Sequence, residues 1–134
     1  MTLVVGDMAP MVAFYRHLGV DLPDPDPQWG DHHRSAVGQP TSFDLDSATF
    51  APSWNVGWPE GQSGVIIGFK VGTAEDVDAL YAELTGDGHQ GQQPPFDAFW
   101  GARYAVVSDP EGNAVGIMGP IDPAKRSAPP DQPA

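Results

Sequence analysis

Apolar residues recur every three or four positions in two segments of the chain, and each segment follows a short alternating apolar run. The segments are "VGDMAPMVAFYRHL", starting at Val5, and "VGTAEDVDALYAEL", starting at Val71, and they align without a gap. This spacing predicts two amphipathic helices, with Asp7 and Thr73 at matching N-cap positions. Their predicted core faces are Met8, Met11, Val12, Tyr15 and Leu18 in the first helix and Val77, Leu80, Tyr81 and Leu84 in the second.

Each helix is followed by a stretch rich in Gly and Pro and then by a predicted hairpin. "DHHRSAV" and "SFDLDSATF" flank the turn "GQPT", and "ARYAVVS" and "NAVGIMG" flank the turn "DPEG". Pro and Gly favour such chain reversals. The order β-α-β-β-β, twice, predicts an α+β domain over residues 1–120 with halves at about 1–51 and 64–120 and a linker at 52–63. The Pro-rich residues 121–134 are predicted to be a disordered tail.

The amino-acid composition excludes several classes of site and partner. The 134-residue chain contains no Cys, which excludes disulfides, thiolate metal sites and a Cys nucleophile. Its formal net charge of −12 opposes binding to nucleic acid or to an anionic membrane, so neither is an expected partner. No apolar run reaches the roughly 18 residues of a membrane span, and no signal-peptide pattern is present, so we expect a cytoplasmic protein.

The start "VGDM…AFYRHLGV" and the ending "RYAVVSDPEGNAVGIMG", in this element order, resemble the vicinal oxygen chelate superfamily of glyoxalases, extradiol dioxygenases and bleomycin-resistance proteins. The resemblance spans about Thr2 to Pro120. "FDAFWGARYAVVSDPEGN" is similar to the drug-binding branch that includes the mitomycin-binding resistance protein. The resemblance implies two βαβββ modules that form cupped mixed sheets with the helices outside, around a cavity often shared by a homodimer.

The resemblance also implies metal ligands on the inner face of the first and last strands of each half. Strand alternation predicts that Val65, Ile67, Phe69 and Val71 face the helix, whereas Ile66, Gly68 and Lys70 face the cavity. The His ligand of the family corresponds to Ile66 and its Glu ligand to Gly116. Counted back from Asp7, the first-strand position falls one residue before Met1, and the fourth falls near Phe43 or Asp44. One carboxylate at most remains, so neither a metal nor another cofactor is predicted.

Aromatic residues offer the alternative to metal chemistry, because stacked rings bind planar organic molecules. The predicted ligand-binding residues are Trp100, Tyr104, Phe43, His32, Trp54, Trp58, Phe96, Phe99, Met118 and Gly116. Trp100 and Tyr104 are the foremost candidates, and each aromatic could instead only cover the open end of a half sheet. His32 and His33, on one strand, would face opposite ways, and Asp44 and Asp46 would share a face without a positioned partner.

These observations predict metal-independent binding and sequestration of a hydrophobic, partly planar small molecule, such as an antibiotic, with no catalytic residue. One alternative is a metal-dependent lyase, isomerase or dioxygenase of the same superfamily. Another is an interaction module whose apolar cup binds a peptide. The acidity of the chain suits a basic ligand and the drug-binding motif an uncharged one, so the ligand charge stays open at this point.

Overall fold

One mixed seven-stranded sheet carries two helices on the same face in the computed structural model, which describes residues 1–130. The predicted α+β class is confirmed. The elements are β1 (Thr2–Val5), α1 (Met8–His17), β2 (His33–Ser35), β3 (Asp44–Ser47), β4 (Gly64–Lys70), α2 (Ala74–Gly86), β5 (Gly91–Asp97), β6 (Arg103–Ser108) and β7 (Ala114–Met118). The strand order is β2-β3-β1-β4-β7-β6-β5. Neither helix is long and apolar enough to cross a membrane.

The two halves of the chain join through the antiparallel pair β1 and β4, in which Thr2 stands opposite Ile66. The second half has the predicted β-α-β-β-β order, but the first half lacks one strand. In its place the segment after α1 makes one isolated bridge, between Asp21 and Val37. That segment, "VDLPDPDPQWG", carries three prolines, which cannot donate hydrogen bonds to a strand ladder.

The two helices begin differently. At α2, the Thr73 hydroxyl accepts from the Asp76 N–H and the Asp76 carboxylate accepts from the Thr73 N–H, a complete capping box. At α1, the predicted cap of Asp7 is wrong, because its side chain accepts no such bond. The predicted core faces otherwise pack on the sheet, except for Leu18, which lies just beyond the last turn of α1 and is 65% exposed.

The helix-side face of β4 is uncovered. Val65, Ile67 and Phe69 point to the helix side as predicted, yet they are 44%, 51% and 59% exposed. The core of α1 forms around Val5 and Leu45 in β1 and β3, and the core of α2 forms around residues of β6 and β7. The central strand β4 therefore lies between the two helices, and neither helix covers it.

The first part of the predicted tail is ordered against the body of the protein, which corrects the prediction of disorder there. The Asp122 N–H donates to the Gly101 carbonyl at 2.8 Å and the Ser127 N–H to the Phe99 carbonyl at 2.9 Å. Between them Pro123–Lys125 form a short 3-10 turn. Residues 131–134 of the predicted tail lie outside the described residues.

Candidate functional site

A cavity of about 450 Å³ lies on the side of the sheet opposite the helices, between the two halves of the chain. One wall, from β1 to β3 and the turn before β3, is polar and consists of Thr2, His33, Ser35, Ser42, Asp44 and Asp46. The other wall is aromatic and consists of Trp29, Phe50, Trp54, Phe99, Trp100 and Tyr104. Met118, Ile121 and Arg126 complete the lining. Both halves of the chain contribute to this lining.

A hydrogen-bonded chain of four side chains forms the centre of the polar wall. In the β2–β3 ladder His33 stands opposite Asp46 and Ser35 opposite Asp44. His33 Nδ1 lies 2.6 Å from Asp46 Oδ1, and His33 Nε2 lies 3.1 Å from Ser35 Oγ. The Ser35 hydroxyl donates to the Asp44 carboxylate. A donor for every bond exists when both ring nitrogens of His33 carry a proton, so the network favours the imidazolium form.

The two carboxylates near His33 favour the same imidazolium form, whereas the charge of Arg34 opposes it. Burial alone would lower the pKa of His33, but the hydrogen bond and charge of Asp46, with the charge of Asp44, raise it above the usual 6.5. The ring of Trp29 lies against the imidazole with centroids 4.9 Å apart and planes tilted by 47°, a contact within the distance at which an indole favours a cationic ring. Burial raises the pKa of the Asp46 carboxyl, against the hydrogen bond from His33.

The aromatic wall is organised around Trp100. Its ring meets Phe99 at 5.0 Å, Tyr104 at 5.1 Å and Phe96 at 6.3 Å between centroids, all close to edge-on. The Trp100 indole N–H points to Met118 Sδ at 3.3 Å. Edge-to-face packing of this kind fixes ring orientation. The wall is therefore a preformed surface, held mainly by β5, β6 and the connection between them.

Gly116, predicted from the sequence as a ligand-binding residue, is not in the lining of the cavity. A Cβ built at Gly116 would lie 2.6 Å from Tyr104 Oη, so the ring of Tyr104 covers the glycine. Burial raises the pKa of Tyr104 well above its usual range, which keeps the hydroxyl protonated. Tyr104 and not Gly116 therefore presents its surface to the cavity.

The structure brings five of the predicted residues into the cavity lining: Trp54, Phe99, Trp100, Tyr104 and Met118. It places the other five elsewhere. Phe43 packs on the helix side against Tyr15, at 5.1 Å, because it alternates with the inward Asp44 along the chain. Phe96 lies behind the lining, in edge contact with Trp100 and Tyr104.

The other three predicted residues that lie outside the cavity lining make local contacts instead. His32 ends a 3-10 turn and its Nδ1 lies 2.7 Å from Ser47 Oγ, so β2 begins at His33 and presents that residue to the cavity. Trp58 packs over Gly64 and donates its indole N–H to the Gln62 carbonyl at 2.8 Å. Gly116, as described, lies beneath Tyr104.

Several lining residues were absent from the predicted ligand-binding set, among them His33, Ser35, Phe50 and Arg126. A cross-strand signal for two of them was present. Because Asp44 and Asp46 were predicted on one face, their partners across the hairpin had to share that face, and the pairing gives Ser35 and His33. Phe50 and Arg126 lie in irregular segments, which carry no such alternation.

The inner positions of the four central strands do not form a metal-ligand set. One residue from each of β3, β1, β4 and β7 stands in the same row of the sheet, and these four residues are Asp44, Thr2, Ile66 and Ala114. Ile66 is 2% exposed, inside an apolar cluster. Within residues 1–130, no group of three or more His, Asp or Glu side chains is arranged to hold an ion.

Solved structures with a similar fold come from several bacteria. A superfamily member from Vibrio splendidus 12B01 is 15% identical, with 89% of this chain and 95% of that chain covered and a TM-score of 0.59. A structure described as an NAD-dependent benzaldehyde dehydrogenase from Legionella pneumophila is 18% identical, with 88% and 95% covered and a TM-score of 0.55. At these identities the likeness shows the fold alone.

A larger protein also contains this fold. The Mn(II)-bound glyoxalase from Novosphingobium aromaticivorans is 17% identical, with a TM-score of 0.61, and the match covers 97% of this chain but 40% of that chain. No curated protein matches the sequence. Residues 1–117 match the family model described as Glyoxalase/Bleomycin resistance protein/Dioxygenase superfamily. The chain therefore belongs to the glyoxalase/bleomycin resistance/dioxygenase superfamily.

Proposed function

We propose that the protein binds and sequesters a hydrophobic, partly planar small molecule in this cavity without a metal ion, as an antibiotic-binding resistance protein would. The observation that carries the proposal is the preformed aromatic wall of Phe99, Trp100 and Tyr104, which faces a polar wall whose groups already bond to one another. Such a cavity offers stacking surface and a few polar contacts. The cavity presents no side chain that is activated for catalysis.

The dimensions support a ligand of moderate size. A volume of about 450 Å³ lies within the range of roughly 300–1,000 Å³ typical of small-molecule sites. Aromatic pairs contribute about 0.5–1.5 kcal/mol each beyond the area they bury. Several such contacts on one wall supply affinity for a fused-ring system without any charged interaction.

The residues present do not fit the metal that superfamily enzymes use. Of the inner positions, only Asp44 offers a carboxylate, and it accepts the hydroxyl of Ser35. Asp46 is held by His33, and the ring of Tyr104 occupies the space into which a side chain at position 116 would project. A divalent ion bound by one carboxylate would be weakly held. The bonding of these residues therefore supports the metal-independent proposal over the metal-dependent alternative.

The charge of the lining favours an uncharged ligand. Asp44 and Asp46 contribute two negative charges, which the imidazolium form of His33 and the guanidinium of Arg126 balance. The net charge of −12 is therefore a property of the outer surface and not of the cavity. Of the two ligand types left open by the sequence, the neutral planar one agrees better with this balance.

The proposed binding uses residues of one chain, because both halves of the chain line the cavity. The homodimer predicted from the family resemblance stays a prediction, and sedimentation equilibrium measures it directly. Peptide binding by the apolar cup has less support, since one wall of the cavity is polar and consists of Thr2, His33, Ser35, Ser42, Asp44 and Asp46.

Calorimetric titration with a panel of planar aromatics, in excess EDTA, tests the proposal. We expect at least one neutral fused-ring compound to bind with one site per chain, and Phe99→Ala to weaken it about fivefold to tenfold through loss of a ring contact. Phe14→Ala is the matched control, because Phe14 is 59% exposed on α1, on the opposite side of the sheet. Absence of binding across the panel, or equal weakening by both variants, contradicts the proposal.

A further inference from the structure

We infer that the C-terminal segment of residues 121–127 is part of the ligand site, and that Arg126 in it recognises a carbonyl oxygen on the planar ligand. This inference rests on the proposed function and names its ligand class more closely: a neutral fused-ring molecule that carries a carbonyl group. Ile121 and Arg126 of this segment line the cavity, although the sequence predicted a disordered tail here.

The segment is attached to the turn that carries two rings of the aromatic wall. Three successive carbonyls of this turn, at residues 99–101, each accept a hydrogen bond from it. The bonds run from the Ser127 N–H to Phe99 at 2.9 Å, from Arg126 Nε–H to Trp100 at 3.3 Å and from the Asp122 N–H to Gly101 at 2.8 Å. A Cβ on Gly101, whose φ is +91°, would collide with the Asp122 carbonyl oxygen, so the two backbones touch.

The guanidinium of Arg126 has unused hydrogen-bonding capacity. Its Nε–H donates to the Trp100 carbonyl, which holds the group beside the aromatic wall. Its two terminal amino groups make no hydrogen bond or ion pair with any of residues 1–130. The three other arginines all pair with an Asp carboxylate, and they are Arg16, Arg34 and Arg103. Arg126 therefore brings a fixed cation with free N–H donors to the cavity lining.

The chemistry of the free donors selects the ligand group. A guanidinium donates hydrogen bonds and accepts none, so its partner must be an acceptor. A ligand carboxylate would accept from Arg126, but it would also face the carboxylates of Asp44 and Asp46 across the cavity. A carbonyl oxygen is an acceptor without that charge. Conjugation keeps it near the ring plane, so one molecule can stack on the wall around Trp100 and accept from Arg126 at its edge.

The test uses 2-acetylnaphthalene and 2-ethylnaphthalene, two neutral probes of similar shape of which only the first has a carbonyl oxygen. Fluorescence titration of Arg126→Met should show about fivefold weaker binding of 2-acetylnaphthalene and at most about twofold weaker binding of 2-ethylnaphthalene. Lys125→Met is the matched control, because Lys125 lies in the same 3-10 turn, carries the same charge and does not line the cavity. It should leave both affinities near their wild-type values.

A second pair of variants tests the attachment of the segment without changing the guanidinium. Ser127→Pro removes the N–H that donates to the Phe99 carbonyl. Arg126 already has φ −68° and ψ 142°, an extended conformation that suits the residue before a proline. We expect Ser127→Pro to weaken 2-acetylnaphthalene about threefold, whereas Ser127→Ala keeps the N–H and should match the wild type.

The outcomes separate this inference from the proposed function. Equal weakening of both probes by Arg126→Met, or the same selective loss in Lys125→Met, overturns recognition of the carbonyl and leaves the proposed function in place. Equal behaviour of the two Ser127 variants overturns the role of the attachment. If neither probe binds the wild type while another planar compound does, the inference alone fails, and if no planar compound binds, both fail.

Discussion

The ring of Tyr104 lies over Gly116, so that a Cβ at position 116 would stand 2.6 Å from Tyr104 Oη. This relationship links two neighbouring strands at the cavity, because β7 provides the glycine and the adjacent β6 provides the ring that covers it. A last strand without a reactive side chain is therefore not an empty surface. It is the support on which the aromatic wall rests.

Gly116→Ala should lower the free energy of unfolding by about 1–3 kcal/mol, because the added methyl group forces the ring of Tyr104 to move in a packed core. Urea unfolding measures the change. Gly68→Ala is the matched control: Gly68 pairs with Gly116 in register, and no atom lies within 4 Å of a Cβ built there. Equal destabilisation by the two substitutions would show that the ring contact is unimportant.

The pair of His33 and Asp46 should make stability depend on pH. Because the pKa of His33 is raised in the folded protein, the folded state holds the proton more tightly than the unfolded chain does. The stabilisation is complete below the unfolded value of 6.5 and is lost as the pH rises through the folded value. Urea unfolding at pH 6 and pH 8.5 should therefore give a higher free energy at pH 6.

His33→Gln should remove most of this difference between the two pH values, since glutamine does not titrate. His17→Gln, on α1 and outside the cavity, is the control and should keep it. A wild-type protein that is more stable at pH 8.5, or a His33→Gln variant with an undiminished difference, would rule out the ion pair as its source.

The capping box of α2 and its absence at α1 predict different costs of substitution at the two helix starts. Thr73→Ala should lower the free energy of unfolding by about 1 kcal/mol, because it removes the acceptor for the Asp76 N–H. Asp7→Ala should change it by a few tenths of that amount at most, since the Asp7 side chain makes no capping bond. Thermal denaturation of both variants tests this, and a larger loss for Asp7→Ala would reverse the assignment.

Strand alternation was a reliable guide wherever the strand boundaries were clear. It placed Ile66 on the inner face and Ile67 and Phe69 on the helix face, as found. It did not reveal that the helices leave Ile67 and Phe69 uncovered, because helix placement depends on the packing of the whole domain. The helix spacing and the turn residues supplied the element order, and only the Pro-rich segment of the first half departed from it.

The candidate site was harder to predict, because single-residue boundaries decide which face a side chain takes. A strand that starts at His33 instead of His32 exchanges their roles, and the inward Asp44 directs its neighbour Phe43 toward α1. Trp58 and Trp54 lie in one irregular segment, where composition alone could not separate a core residue from a lining residue. The Arg126 side chain donates to the Trp100 carbonyl, and no local sequence pattern predicts this tertiary contact.

Metal-independent binding is tested most directly by one titration of the panel compound that binds best, performed in excess EDTA and repeated with saturating Mn²⁺ or Zn²⁺. We expect one site per chain and the same dissociation constant in all three conditions, together with less than stoichiometric metal in protein purified without chelators. Binding that disappears in EDTA and returns with the ion, or a stoichiometric ion in the purified protein, would contradict a cavity that works by shape, stacking and hydrogen bonds.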